Sequence, residues 1–177
     1  HPAKKLLFIN QHNLTFQEEA EEYGLAFSGY STQAVFLDYD KDGDLDMYLV
    51  NYLLGKNTNT IVPRDRTGRS LANDRLYRND GAPGRMMHPV FHDVSASAGI
   101  REDGYGLGVV VSDINGDGWP DIYVANDYLA NDLLWLNRGD GRFTNVIAAA
   151  LRHQSYNSMG TDAADINNDG LPDLAVV

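Results

Sequence analysis

The sequence predicts an all-β fold, a β-propeller of four-stranded antiparallel blades that is partial or incomplete. Three observations carry this. A nine-residue acidic pattern recurs three times, a hairpin pattern recurs between the copies, and the strands so defined repeat at a four-strand period.

The acidic pattern has the form D-x-[DN]-x-D-G-x-x-D and occupies residues 38–46, 113–121 and 165–173. Each copy follows a small or apolar strand-like run (34–37, 107–111 and 160–164) and leads into another (47–50, 122–124 and 174–177). The hairpin unit is clearest at 133–136, turning through 137–141 into 142–146. Weaker relatives run from 76–79 to 90–94 and from 7–10 to 14–17. The order of units is then a half blade at 1–29, a blade at 30–95 interrupted by a polar insertion at 53–73, a blade at 105–147, and a half blade at 158–177. A propeller closes with about 4–8 blades. The chain opens without Met and ends inside a strand-like run at Val177, so a segment of something longer is expected.

Composition narrows the function. The 25 acidic residues outnumber the 14 basic ones, and a formal charge of −11 repels nucleic acid and anionic membrane surfaces. No apolar run approaches the roughly 20 residues that cross a bilayer as a helix, so neither nucleic acid binding nor membrane insertion is expected. There is no cysteine, hence no disulfide and no thiolate site.

The acidic pattern reads as a calcium loop. A hard cation takes about 6–8 oxygen ligands, which a loop supplies by placing oxygens at alternate positions. Positions one, three, five and nine are Asp or Asn in every copy: Asp38, Asp40, Asp42 and Asp46; Asp113, Asn115, Asp117 and Asp121; Asp165, Asn167, Asp169 and Asp173. Position seven varies among Asp44, Trp119 and Leu171, as suits a ligand acting through its backbone carbonyl, and position six is always Gly. About three Ca²⁺ are expected, which would bring the net charge from −11 to −5. Without metal, the crowded carboxylates of the first loop should raise one another's pKa. Asp, Asn and Gly also dominate ordinary turns, but turn chemistry does not require Asp at position nine. An EF-hand would need a Glu at position twelve, where this chain has Leu49, Val124 and Val176.

These loops resemble the FG-GAP or VCBS repeats of integrin-α-type propellers. Residues 36–48, 106–126 and 158–173 are most similar to bacterial propellers associated with ASPIC/UnbV domains, relatives of cartilage acidic protein. The resemblance implies an extracellular or cell-surface propeller whose loop Asp and Asn residues hold Ca²⁺, with roles in adhesion or binding and no implied reaction. The expected function is accordingly an extracellular calcium-binding scaffold with a protein or glycan ligand, and not an enzyme. One alternative is a self-assembling subunit, a homo-oligomer or filament in which half blades complete each other between copies. A more remote one is a hydrolase on a propeller scaffold.

Other motifs weigh less. Arg138-Gly139-Asp140 spells an integrin-recognised tripeptide, but an Asn-x-Gly-Asp-Gly-x-Phe hairpin turn accounts for it. The five His residues (His1, His12, His88, His92 and His153) lack metal-ligand spacing, and there is no nucleophile elbow. The insertion at 53–73 is a candidate partner-facing loop, and Asn13-Leu14-Thr15 is a glycan-acceptor sequon at a turn.

Overall fold

Runs of β-branched and aromatic residues, punctuated by Asp, Asn and Gly, fold as short antiparallel strands. The computed structural model describes residues 3–53, 64–82, 84, 87–128 and 130–177. The first strands are β1 (Ala3–Lys4), β2 (Phe8–Asn10), β3 (Phe16–Glu18) and β4 (Ser28–Gly29). They are followed by β5 (Ser31–Leu37), β6 (Asp46–Asn51), β7 (Arg75–Asn79) and β8 (Phe91–Asp93), which form one four-stranded meander. A second meander comprises β9 (Gly106–Ser112), β10 (Asp121–Asn126), β11 (Leu133–Asn137) and β12 (Phe143–Asn145). Strands β13 (Thr161–Ala164) and β14 (Asp173–Val176) pair with each other, as do β2 with β3 and β1 with β4. The all-β expectation holds, with antiparallel four-stranded sheets consistent with partial propeller blades.

Two single helical turns, α1 (Ser95–Ala98) and α2 (Ile147–Ala150), interrupt this pattern, each just after a fourth strand. Four residues are too few to show a 3.6-residue period, so strand patterning alone does not reveal them. None of the described helices is long and apolar enough to cross a membrane.

The second strand of each meander, β6 or β10, is buried along its whole length. Such strands are covered on both faces, which explains why 47–50 and 122–125 are apolar without alternation. The main core lies between the meanders, where Tyr48, Val50 and Leu76 meet Ile122, Val124 and Trp135. Neighbouring first strands touch, with Thr32 Oγ1 donating to the Gly106 carbonyl at 2.7 Å and Val109 N to Gln33 Oε1 at 3.2 Å. Glycine is needed at this seam. A Cβ on Gly106 would lie 2.3 Å from Val50 Cγ1, and one on Gly108 would lie 3.1 Å from the Gly160 Cα.

At the ends of β6 and β10 remote from the acidic loops, each meander carries a buried Asp that sequence reasoning did not single out. Asp74 accepts from Tyr48 Oη and from the Asn51 N–H, both at 2.8 Å, while Asn51 Nδ2 donates to the Asn73 carbonyl at 2.6 Å. Asp132 repeats this with Tyr123 Oη (2.6 Å) and the Asn126 N–H (2.7 Å), and also accepts from Ser158 Oγ at 3.2 Å. Each carboxylate thereby satisfies a strand terminus that would otherwise be buried and unpaired.

Burial pushes the Asp74 carboxyl up to about 7, against the opposing hydrogen bonds from Asn51 and Tyr48. A carboxyl whose pKa is higher folded than unfolded contributes stability that is full below about pH 4 and lost as pH rises through about 7. In urea unfolding, Asp74→Ala should cost roughly 2–5 kcal/mol by orphaning two buried groups. Asp74→Asn, which stays neutral, should show a smaller loss of stability between pH 5 and pH 8 than the parent chain.

Candidate metal centre

The three acidic loops each join a first strand to a second: loop 1 (38–46) links β5 to β6, loop 2 (113–121) links β9 to β10, and loop 3 (165–173) links β13 to β14. Two left-handed residues curl each loop. Position four is Lys41 (φ 60°), Gly116 (72°) or Asn168 (62°), and position six is Gly43 (95°), Gly118 (88°) or Gly170 (88°). At position six the dihedral dictates glycine, since a Cβ on Gly43 or Gly170 would meet no atom within 4 Å.

The curl is held by the loop's own acids. The position-one carboxylate accepts the position-six N–H in every copy, at 3.2 Å for Asp38, 2.7 Å for Asp113 and 2.9 Å for Asp165. The position-five carboxylate of Asp42, Asp117 or Asp169 accepts the N–H of position seven, at 2.9 Å in each case. That bond fixes the peptide of Asp44, Trp119 and Leu171.

In loop 1 the acids converge. Carboxylate oxygens of Asp38, Asp40 and Asp42 all lie within 4.8 Å of one another. Oδ1 of Asp38 and Oδ1 of Asp40 are buried with no hydrogen-bond partner. Burial raises the Asp40 carboxyl above the usual range, and the charges of Asp42 and Asp38 add to this. Buried, unpartnered carboxylate oxygens facing one another are costly unless a cation pairs with them, so the residues present fit a hard cation.

Loops 2 and 3 carry one carboxylate fewer at the same place. Asn115 Nδ2 donates to Asp117 Oδ2 at 2.9 Å, and the Asp117 N–H is shared between Asp113 Oδ1 (3.0 Å) and Asn115 Oδ1 (3.1 Å). The Asp169 N–H is shared likewise between Asp165 (3.0 Å) and Asn167 (2.9 Å). Their oxygens are partly occupied by the loop backbone, so loop 1 is the most demanding of a cation.

Position nine does something else besides. Asp46 and Asp121 are fully buried and lie outside the converging trio. Asp46 accepts the N–H of Tyr39 in its loop (3.1 Å) and of Asn79 at the end of β7 (2.8 Å). Asp121 accepts from Ile114 (3.0 Å) and from Asn137 at the end of β11 (2.8 Å), and Asp173 from Ile166 (3.0 Å). Each oxygen has two lone pairs, so a metal role for these residues remains compatible with the backbone bonds. The partners Asn79 and Asn137 were not singled out as functional residues. Their signal is the Asn that ends each third-strand run, at Asn10, Asn79 and Asn137.

The remaining candidates do not join the site. Gly139 of the Arg-Gly-Asp turn lies beneath Trp119, whose Nε1 would be 2.8 Å from a Cβ there, and Asp140 accepts the Arg142 N–H at 3.1 Å. Of the insertion, 54–63 lies outside the described residues. Beyond it Arg64 pairs with Glu102 at 3.3 Å, and Asp65 N–H donates to Asp103 at 2.7 Å. His88 stacks on Tyr23, and His92 faces Asp80 at 3.4 Å.

The two duties of the acids separate experimentally. With chelator present, Asp121→Ala should cost roughly 2–5 kcal/mol in denaturant unfolding, because it orphans the buried N–H of Asn137 and the half-buried N–H of Ile114. Asp117→Ala, at an exposed position, should cost under about 1 kcal/mol in the same buffer.

Comparison with known proteins agrees with this architecture. The chain is 29% identical over 150 residues to Cartilage acidic protein 1 of Homo sapiens, covering 84% of this chain and 20% of that protein. It is 32% identical over 95 residues to Integrin alpha-7 of Homo sapiens, covering 48% of this chain and 8% of that protein. It therefore spans a fifth or less of the length of these relatives. The family model of the FG-GAP-like repeat matches residues 113–176, which run from the first residue of loop 2 to the end of β14. Over that stretch the chain is similar to an FG-GAP-like repeat, and the described residues form an all-β array that includes two antiparallel four-stranded sheets.

Proposed function

We propose that this chain is a calcium-binding propeller segment that serves as a binding or adhesion scaffold outside the cell or at its surface, without a chemical step of its own. The observation that carries the calcium reading is the pair of buried, unpartnered oxygens on Asp38 and Asp40 within the converging trio of loop 1. Side-chain oxygens at positions one, three, five and nine, with the carbonyls of Asp44, Trp119 and Leu171, would hold one Ca²⁺ per loop. The ion supplies charge neutralisation, locking each loop onto the strands it joins. Likeness to an integrin α chain and to a cartilage protein supports the extracellular placement and a protein or glycan ligand. The units 1–29, 30–95, 105–147 and 158–177 are the blades and half blades of this reading.

A second reading, assembly of copies, is favoured by one feature. Asp46 and Asp121 each receive the N–H of a third-strand Asn, whereas among the described residues Asp173 Oδ1 receives none. Asn10 ends β2 opposite Phe16 just as Asn79 and Asn137 stand opposite Phe91 and Phe143. Strand β2 of a second copy could therefore lie along β14 with Phe8 opposite Leu174, as Tyr77 lies opposite Met47. A mass in solution that stays monomeric at all concentrations with calcium present would exclude this.

Calcium in hundredfold excess over its dissociation constant stabilises by about 2.7 kcal/mol per site. Thermal unfolding should therefore shift upward by about 5–10 °C per occupied loop, and chelator should reverse it. Asp40→Asn with Asp42→Asn should remove the share of loop 1, while loops 2 and 3 still respond to calcium. An unfolding curve indifferent to both calcium and chelator would defeat the proposal.

A further inference from the structure

We infer that loops 1 and 2 bind their cations as one coupled pair, with Lys41 of loop 1 lying on Trp119 of loop 2, while loop 3 binds independently. This rests on the calcium reading above.

The contact joins two blades at the positions the repeat leaves free. Lys41 is position four of loop 1, between the candidate ligands Asp40 and Asp42, and its Nζ lies 4.2 Å from the centroid of the Trp119 ring. Trp119 is position seven of loop 2, the residue whose carbonyl would ligate. It is also held from the hairpin side, where a Cβ on Gly139 would come within 2.8 Å of its ring. A second tie runs beneath. Asn137 Nδ2 donates to the Tyr39 carbonyl of loop 1 at 2.8 Å and to the Pro120 carbonyl of loop 2 at 3.3 Å. The N–H of the same residue donates to Asp121 at 2.8 Å. One buried asparagine thus touches the backbone of both loops and the ninth residue of the second.

Loops 2 and 3 lack the upper bridge. Position four of loop 2 is Gly116, which has no side chain to extend, and position seven of loop 3 is the exposed Leu171. The chain therefore contains its own control.

The sign follows from ordering. Lys41 holds a left-handed backbone (φ 60°), uncommon for a side-chain-bearing residue, and a cation gripped by its neighbours Asp40 and Asp42 fixes it there. With Lys41 fixed, its stem and ammonium restrain Trp119, so loop 2 gives up less freedom when it takes its own ion. Repulsion between the two ions acts oppositely, but salt screens it over about 10 Å at 0.1 M. An exposed cation–π contact corresponds to roughly a two- to five-fold change in affinity, which is the coupling expected in each direction.

The test is calcium titration calorimetry of the full chain at physiological salt. Disabling loop 2 with Asp113→Ala and Asp117→Ala should weaken loop 1 roughly two- to five-fold. Disabling loop 3 with Asp165→Ala and Asp169→Ala should leave loop 1 unchanged. Trp119→Leu, which copies the residue of loop 3, or Lys41→Ala, should abolish the dependence of loop 1 on loop 2. A second readout avoids disabling any ligand: the Trp119 emission, taken as the difference between the parent chain and Trp119→Leu, should change in two steps on calcium addition. The step due to loop 1 should vanish in Lys41→Ala. Equal loop 1 affinity with loop 2 competent or disabled, or a Trp119 response unaffected by Lys41→Ala, overturns the coupling while leaving the calcium reading intact. No calcium-dependent heat in the parent chain would remove both.

Discussion

A buried carboxylate that faces two strands at once holds each four-stranded sheet at the end where its acidic loop lies. Asp46 and Asp121 have no solvent exposure, yet each accepts two backbone N–H groups, one from its own loop and one from the end of the third strand. An acid buried this deeply is tolerable only when hydrogen bonds replace its water, so its position dictates where loop and third strand must lie. For Asp46 the replacement is incomplete: burial still drives its carboxyl up to about 7, with the Asn79 and Tyr39 N–H groups pulling the other way. Asp74 and Asp132 do the corresponding work at the opposite end, through Tyr48 and Tyr123. Between these polar ends the apolar middle of the sheet packs against its neighbour. The strands thus have a means of registration that is independent of metal, and a cation in the loop would add to it.

How much of this was legible in the sequence depends on whether a residue repeats in a recognisable context. The three loops and the hairpins were readable because Asp, Gly and the flanking apolar runs recur at fixed spacing. Strands β6 and β10 followed directly from 47–50 and 122–124. Asp74 and Asp132 were not, because Asn73-Asp74 and Asn131-Asp132 look like ordinary loop polarity when read singly. Only their common offset from Asn79 and Asn137, five residues in both cases, marks them as equivalents. The split duty of position nine was hidden for another reason: its partners Asn79 and Asn137 come from a strand thirty-three or sixteen residues away, and no local pattern reports such a meeting.

The loops are alike in fold and unlike in demand. Loop 1 has Asp at position three, and two oxygens of its trio are left without partners. With Asn115 and Asn167 there instead, and Trp119 and Leu171 where loop 1 has Asp44, loops 2 and 3 hold two carboxylates fewer, and they engage the position-three side-chain oxygens with the Asp117 and Asp169 N–H groups. In a chain with 25 acidic residues, these two exchanges set how strongly each loop resists being empty. An acid-rich loop gains more from a cation, and is less stable without one.

Positions four and seven are where the repeat permits variety, and variety is what makes one interface between blades differ from the next. Every copy requires a left-handed backbone at position four, a demand that Gly116 and Asn168 meet easily and Lys41 meets at some strain. A lysine there is therefore best explained by what its side chain reaches, and it reaches Trp119 in the adjacent blade. Trp119 in turn needs the bare face of Gly139, which the hairpin turn already supplies for its own reason, a φ of 70°. Three residues chosen under separate local rules thus converge on one contact. Replacing Lys41 or Trp119 by the residue at the same place in another copy would leave every loop and strand formed and dissolve only the link between neighbours.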